Sequence, residues 1–191
     1  MIGQALKFLL DTAFGLLTYA FLLRFAMQWL RAPFRNPVGQ ALTALTDWAV
    51  KPLRRALPGY RGLDWSTLFL AWLAQFLWLI ALGLLAGGGG LGGTGIAMLA
   101  FFAVIELLKA ALWLLIIVVF VQAILSWVAP DGPIAGLLNA LTYPFLAPVR
   151  RVVPPLGGTL DLSPLIVIVL AQLALMLPVH WLEALVLGAF G

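Results

Sequence analysis

Apolar residues run along this chain in four stretches, each long enough to cross a bilayer. A hydrocarbon core about 30 Å thick needs roughly 20 apolar residues in an α-helix. The first stretch covers about residues 6–30, the second 65–86 and the fourth 162–187. The third run, 96–128, exceeds one span, so we expect its first turns to lie along the outer interface or to tilt, with 108–128 in the membrane.

The loop between the spans of each half shows a second pattern. Apolar positions recur there at helical spacing, with polar residues on the other side. This predicts short amphipathic helices at about 38–50 and 134–147. We expect both to lie nearly flat at the inner interface, with Trp48 and Phe145 turned toward apolar surroundings.

Prolines predict where these helices end or bend. A proline inside a helix removes one backbone hydrogen bond and clashes with the preceding turn. Pro52 and Pro148 are therefore expected to end the amphipathic helices. Pro178 is expected to kink the fourth span, where neighbouring helices tolerate a bend.

The chain also repeats itself. The segment NPVGQALTALTDWAVKPLRRALP at 36–58 aligns with GPIAGLLNALTYPFLAPVRRVVP at 132–154, a shift of 96. The shift is 97 in the spans that follow and 98 in those that precede. We therefore predict two tandem repeats, residues 1–86 and 96–191, joined by a flexible glycine-rich linker at 87–95. No Gly-Lys-Ser/Thr follows these glycines, which argues against a phosphate-binding loop.

Composition supports a membrane protein and narrows its chemistry. Of 191 residues, 64% are apolar and 9% charged, and the mean hydropathy is +1.11. The absence of cysteine excludes disulfides and thiolate chemistry. The net charge is +4, but the few cations lie between long apolar runs, which fits the anionic face of a bilayer better than nucleic acid.

The positions of the cations predict the orientation. The loops at 31–64 and 129–161 carry most of the lysine and arginine, so both are expected on the cytoplasmic side, although Lys7 weakly opposes this. The linker and both termini then face outward. The predicted fold is all-α, with four transmembrane helices from two parallel repeats, each a span, an interfacial helix and a span. We expect a multi-pass protein of the bacterial inner membrane.

The phrase Pro-x-Arg-Arg-x-x-Pro occurs once in each inner loop. At headgroup level its guanidinium groups can hold lipid phosphates or a partner protein, or they can cap the last carbonyls of a helix. The simpler interpretation is a topology signal with no ligand. The candidate binding residues are Arg54, Arg55, Arg150 and Arg151.

Polar residues just before the second and fourth spans are expected to cap helices. Asp64 and Ser66 occupy this place in one repeat, Asp161 and Ser163 in the other. A catalytic dyad would need a base or nucleophile, and the single histidine, His180, lies near the opposite face. We therefore predict no catalytic residue, no metal and no cofactor, and packing or anchoring for His180.

Polar residues inside the spans form a candidate seam between the repeats, either a hydrophilic path or a set of interhelical hydrogen bonds. For Arg24 the commoner explanation is a side chain that snorkels to the inner interface. The repeat makes Asp11 and Lys109 equivalent, which predicts an ion pair between them, with Glu106 as a rival partner. The seam residues are Asp11, Arg24, Gln75, Lys109, Gln122 and Gln172.

The paired motifs NP/GP, LT, P-x-RR-x-x-P and LD-x-S between apolar spans resemble the YggT family of small integral membrane proteins. The resemblance covers nearly the whole chain in two copies and implies no enzymatic activity. It implies roles associated with osmotic stress tolerance, with cell-division or nucleoid organisation, and in plastid relatives with haem attachment to a cytochrome. It implies structural signature positions at Pro52, Arg54, Arg55, Pro58, Asp64, Ser66, Pro148, Arg150, Arg151, Pro154, Asp161, Ser163 and Pro164.

Two functions of different classes follow from these features. The first is a non-enzymatic scaffold or assembly factor, whose basic inner loops meet anionic headgroups or other membrane proteins. It would be a pseudo-dimeric monomer or a homo-oligomer. The second is a small channel or transporter for ions or osmolytes, which requires a wet polar seam between the repeats. A leucine-filled centre would count against transport.

Overall fold

The computed structural model describes residues 2–60, 62–87, 93–154 and 161–190. Apart from a bridge between Tyr60 and Leu63, the regular structure of these residues is helical, so the all-α prediction is confirmed. Seven helices follow one another along the described chain. They are α1 (Ile2–Trp29), α2 (Pro37–Ala56), α3 (Trp65–Leu85), α4 (Gly93–Val128), α5 (Ala135–Val152), α6 (Ser163–Met176) and α7 (Pro178–Phe190).

Four helical segments are long and apolar enough to cross a membrane, which confirms the predicted number of spans. They are Ile2–Trp29, Trp65–Leu85, Gly95–Val128 and Ser163–Ala189. The last of these is divided into α6 and α7 by an interruption at Leu177, directly before Pro178, which is the place where the sequence predicts a kink. The chain is therefore a multi-pass membrane protein.

Helix α4 is continuous over 36 residues. At 1.5 Å per residue it is about 54 Å long, well above the thickness of a hydrocarbon core. Its early part packs against α3, because the Trp72 indole N–H donates to the Ala100 carbonyl at 3.2 Å. A separate segment along the interface would need a break that α4 lacks, which leaves tilt as the way to fit its length.

The amphipathic helices α2 and α5 both form and run further than predicted. The prediction that Pro52 and Pro148 end them is wrong, since each helix continues for about one more turn. Each then closes with a backbone N–H donated to the carbonyl four residues earlier, at 2.8 Å. The prolines at the ends are Pro58 and Pro154. The turn after Pro52 and Pro148 carries arginines that pair with the next segment, and this tertiary contact offsets one lost helical hydrogen bond.

Both amphipathic helices pack against the C-terminal end of α1. One core cluster joins α1 to α2 and α5, and its buried members include Met27, Leu42, Leu137 and Leu141. The two Pro-x-Arg-Arg-x-x-Pro phrases consequently lie at the same end of the bundle, which we call the basic end. The contacts follow the repeat, with α1 on α3 and α4 on α6. A pseudo-twofold axis along the membrane normal stays a prediction.

The aromatic residues of α2 and α5 have different surroundings. Phe145 packs beside Val119, Leu146 and Val167, as expected. Trp48 is 68% exposed and donates its indole N–H to the Leu45 carbonyl at 2.8 Å, so it faces away from the bundle. That Trp48 faces apolar surroundings, here lipid, stays a prediction.

The predicted linker at 87–95 falls largely outside the described residues, as does Arg61 of the first basic loop. Helix α4 begins at Gly93, inside the range assigned to the linker. The position of the linker between the two repeats therefore remains a prediction from the sequence.

Candidate functional site

At the basic end, the first arginine of each Arg-Arg pair binds the aspartate that precedes the next span. In the first repeat, the Arg54 guanidinium pairs with Asp64, which also accepts a hydrogen bond from the Thr67 hydroxyl. Burial alone raises the pKa of the Asp64 carboxyl, but these two donors outweigh it and hold that pKa below its usual value. We call the Arg54–Asp64 pair the first clasp.

Two further contacts fasten the first clasp to its neighbours. The Gln28 amide of α1 fits both partners when its nitrogen is assigned toward Asp64: it then donates to Asp64 Oδ2 at 2.6 Å and accepts from Arg54 Nη2 at 3.0 Å. The Ser66 hydroxyl donates to the Leu57 carbonyl at the end of α2. The clasp therefore ties the end of α1, the end of α2 and the start of α3 together.

The second repeat contains the matching contact, which we call the second clasp. Arg150 donates to Asp161 Oδ2 from Nη2 at 2.7 Å and from Nε at 2.9 Å. Asp161 Oδ1 accepts the Ser163 backbone N–H at 2.9 Å, so this aspartate caps α6 as predicted. Burial raises the pKa of Asp161, but the Ser163 and Arg150 donors outweigh it and lower the pKa overall.

The prediction that these residues cap helices is wrong for Asp64 and for the Ser163 hydroxyl. Asp64 precedes α3, but its side chain makes no hydrogen bond to the first turn's backbone and serves Arg54 and Thr67 instead. The Ser163 hydroxyl is buried without a hydrogen-bond partner among the described residues, whereas Ser66 has one. Sequence reasoning missed both ion pairs. The available signal was an arginine followed by an aspartate at nearly the same spacing, 10 residues in the first copy and 11 in the second.

Four other arginines at this end are exposed and form no ion pair with any residue that the structure describes. Arg31 and Arg35 follow α1, and Arg55 and Arg151 are the second members of the two Arg-Arg pairs. We call these four residues the free arginines. Each repeat therefore uses one arginine to hold its own fold and leaves the next one at the surface.

The sequence suggested that the Arg24 side chain snorkels to the inner interface. Arg24 is instead buried inside the bundle. It is 5% exposed, and its Nη1 donates to Asp47 Oδ1 at 2.8 Å and to the Thr46 hydroxyl, which joins α1 to α2. Lys51 also binds Asp47, and hydrogen bonds from Lys51 and Arg24 lower the pKa of the Asp47 carboxyl. The charge is buried because an acidic partner on α2 meets it.

The second repeat lacks this ion pair, and the residue equivalent to Arg24 lines a cavity. The shifts of 98 and 96 put Gln122 at the position of Arg24 and Tyr143 at that of Asp47. Between α4 and α5 lies a polar cavity of about 440 Å³, lined in part by Gln122, Asp131 and Asn139. The two repeats share the clasp but differ here.

At the opposite end of the bundle, a second polar cavity of about 200 Å³ is lined by Asp11, Gln75 and Lys109, among others. The predicted ion pair between Asp11 and Lys109 is wrong. Lys109 pairs with Glu106 at 2.9 Å and with Glu183 of α7, and Asp11 accepts the Trp78 indole N–H at 2.7 Å. Glu183 lies in α7, after the interruption at Leu177, and the comparison of the two repeats did not identify it as a partner of Lys109.

The predicted seam residues do not form one polar path. Gln122 lines the cavity near α5, Asp11, Gln75 and Lys109 line the distant one, and Gln172 is exposed. Between α1 and α4 lies an apolar crevice of about 410 Å³, lined by leucine and other apolar side chains. We call it the inter-repeat crevice. Its apolar lining separates the polar groups that the seam was expected to connect.

His180 lies at the surface of α7, where Nδ1 is 2.9 Å from Glu183 Oε2. Within the described residues, no group of three or more histidine, aspartate or glutamate side chains is arranged to hold a metal ion. The chemistry available at the basic end is therefore recognition of negative charge by guanidinium groups.

Comparison with known proteins agrees with this two-copy arrangement. The family model described as CCB3/YggT matches residues 3–85 and again 101–182. The uncharacterized protein PA0392 of Pseudomonas aeruginosa is 38% identical, over 97% of this chain and 94% of its own. An uncharacterized protein in the proC 3′ region of Vibrio alginolyticus is 36% identical, over 90% and 91%. The uncharacterized protein YggT of Escherichia coli K12 is 34% identical, over 87% and 85%. No solved structure matches.

Proposed function

Since the chain belongs to the CCB3/YggT family, we propose that it is a non-enzymatic scaffold or assembly factor of the bacterial inner membrane, whose basic end binds anionic lipid headgroups. The free arginines carry this proposal. Each is exposed and has no acidic partner in the described chain. A guanidinium group at headgroup level binds phosphate oxygens through two parallel hydrogen bonds.

The position of the free arginines supports a bilayer as the partner. They follow a span or end an amphipathic helix, and loops of this kind stay on the cytoplasmic side. Anionic lipids give that leaflet a negative surface potential, and each nearby arginine contributes about 1 kcal/mol to attraction. The clasps hold α2 and α5 in place, so that Arg55 and Arg151 are presented by ordered helices.

Transport is the weaker alternative. A conducting path requires aligned polar groups, and the inter-repeat crevice has an apolar lining between α1 and α4. The family resemblance to proteins associated with osmotic stress fits a scaffold that organises lipids and neighbouring proteins when the membrane is stretched. In that role the basic end would be the surface that contacts lipid headgroups.

Lipid enrichment around the reconstituted protein tests the proposal. Energy transfer from the tryptophans to labelled phosphatidylglycerol is compared with transfer to labelled phosphatidylcholine, in vesicles that contain both lipids. We expect wild type to enrich the anionic label, and replacement of all four free arginines by glutamine to abolish the enrichment. Lys7→Gln, at the far end of α1, is the control and should leave it intact. Equal transfer to both labels in wild type would refute the proposal.

Solute flux separates the scaffold from the alternative. Vesicles with and without the protein are loaded with potassium or a small osmolyte, and release is followed after dilution. The scaffold predicts equal release from both. Faster release from protein-containing vesicles would favour a channel or transporter.

A further inference from the structure

The inter-repeat crevice has the dimensions of a site for one lipid chain. Its α4 wall runs from Val104 to Val118, which is about 21 Å at 1.5 Å per residue. Half of a hydrocarbon core is about 15 Å, so the crevice is long enough for an acyl chain from one leaflet. Val104 and Leu108 on this wall are 53% and 41% exposed, which leaves the crevice open at the side of the bundle.

The crevice ends where α1 ends. Trp29 of α1, Leu30 directly after it and Phe145 of α5 line this end, and the exposed Arg31 is the next residue along the chain. The apolar lining therefore leads to a cation at the basic end of the bundle. A phospholipid has the same arrangement, with an apolar tail below a phosphate.

Arg31 also has an unusual backbone. Its φ is +52°, and among the described residues it is the non-glycine residue with positive φ. It closes α1, since its backbone N–H donates to the Gln28 carbonyl at 3.2 Å and the Ala32 N–H donates to the Met27 carbonyl at 2.8 Å. Glycine is favoured at this position of a helix end because a side chain is strained there. An arginine in this place lowers stability, and the exposed Arg31 directly follows Trp29 and Leu30, which line the mouth of the crevice. Backbone strain kept in such a position is expected of a functional residue.

We propose that the inter-repeat crevice binds one anionic phospholipid, with an acyl chain between α1 and α4 and the phosphate on Arg31. The inference rests on the proposed function and makes it specific, because it adds a defined site to the general attraction of the free arginines. A bound lipid would fill the space between the repeats and couple α1 to α4. The crevice supplies the affinity for the chain, and Arg31 selects the negative headgroup.

Native mass spectrometry of the full chain in detergent tests this site. The protein is incubated with phosphatidylglycerol or with phosphatidylcholine of the same acyl chains, and retained lipids are counted after detergent exchange. We expect one phosphatidylglycerol per chain, and at least about fivefold less retention of phosphatidylcholine.

Two substitutions examine the two parts of the site. Arg31→Gly should lower phosphatidylglycerol retention about fivefold or more, yet keep or raise the melting temperature in lipid-free detergent, because glycine relieves the backbone strain. Leu108→Trp should fill the crevice and reduce retention of both lipids. Leu16→Trp is the matched control on an exposed face of α1 and should retain lipid as wild type does.

The outcomes separate this site from the broader proposal. Arg55→Gln with Arg151→Gln should weaken enrichment of anionic lipid in vesicles but keep the one retained lipid. Equal retention of the two lipids by wild type, or full retention by Arg31→Gly, would overturn the crevice site. If enrichment in vesicles persists in that case, the proposed function stands without it.

Discussion

Removing the guanidinium of Arg54 should destabilise the protein, whereas removing that of its neighbour Arg55 should not. The two residues are adjacent, chemically identical and at the end of the same helix. They differ in their partners, since Arg54 binds Asp64 in the first clasp and Arg55 forms no ion pair with the described residues. Arg54→Ala and Arg55→Ala therefore form a matched pair in which charge and helix propensity change equally.

The expected loss follows from the burial of the two partners. The Asp64 side chain is 6% exposed and that of Arg54 is 41% exposed. Removing one partner of a fully buried pair costs about 3–5 kcal/mol, because the remaining charge is left in a poor solvent. Water reaches Arg54, and Gln28 and Thr67 still bind Asp64, so we expect about 2 kcal/mol for Arg54→Ala. Arg55→Ala should stay within about 0.5 kcal/mol.

Thermal unfolding in detergent, followed by tryptophan fluorescence, measures both variants. A loss of 2 kcal/mol corresponds to a melting temperature lower by about 4–8 °C in a chain of this length. The double variant Arg54→Ala with Asp64→Asn completes a cycle, and the two changes should be clearly less than additive. Equal melting temperatures for Arg54→Ala and Arg55→Ala, or fully additive losses, would refute the clasp as a stabilising contact.

Three further predictions concern the pH dependence of the clasps, the packing of one glycine and the contact between α4 and α7. The clasp carboxylates have lowered pKa values in the folded protein. Their contribution to stability is therefore complete above the ordinary aspartate pKa of about 3.9 and is lost as pH falls through the lower folded values. The difference in stability between wild type and Arg54→Ala should shrink below about pH 4. Gly39→Ala should cost about 1–3 kcal/mol, because a Cβ there would lie 2.4 Å from the Phe34 carbonyl oxygen, whereas Gly136→Ala meets open space and should gain up to about 1 kcal/mol by thermal unfolding. Lys109→Glu should lower the melting temperature, and adding Glu183→Lys should recover part of it; no recovery would show that this pair does not join α4 to α7.

Much of the fold was predictable because it depends on local hydrophobicity. Four apolar runs long enough to span a bilayer predicted the four spans, and helical spacing in the loops predicted α2 and α5. Pro178 marked the interruption between α6 and α7. Helix ends were harder, because Pro52 and Pro148 lie inside helices whose last turns are held by contacts with the next segment.

Ion pairs could not be assigned from the repeat alone. Symmetry made Asp11 and Lys109 equivalent, but Lys109 binds Glu183 on α7, and which face of α7 meets α4 depends on packing. Arg24 was likewise assigned to the interface, although Asp47 meets it inside the bundle. The clasps are the exception, because opposite charges recur there at nearly constant spacing in both copies. Comparing the copies for paired charges would have predicted them.

Survival after osmotic shock is the direct test of a function located at the basic end. Cells that lack their own YggT-family protein are given the wild-type chain, or the variant in which all four free arginines are glutamine, at equal membrane levels. We expect wild type to restore survival after sudden dilution and the variant to fail, although the variant folds and keeps both clasps. Full restoration by the variant would contradict a function that depends on the basic end.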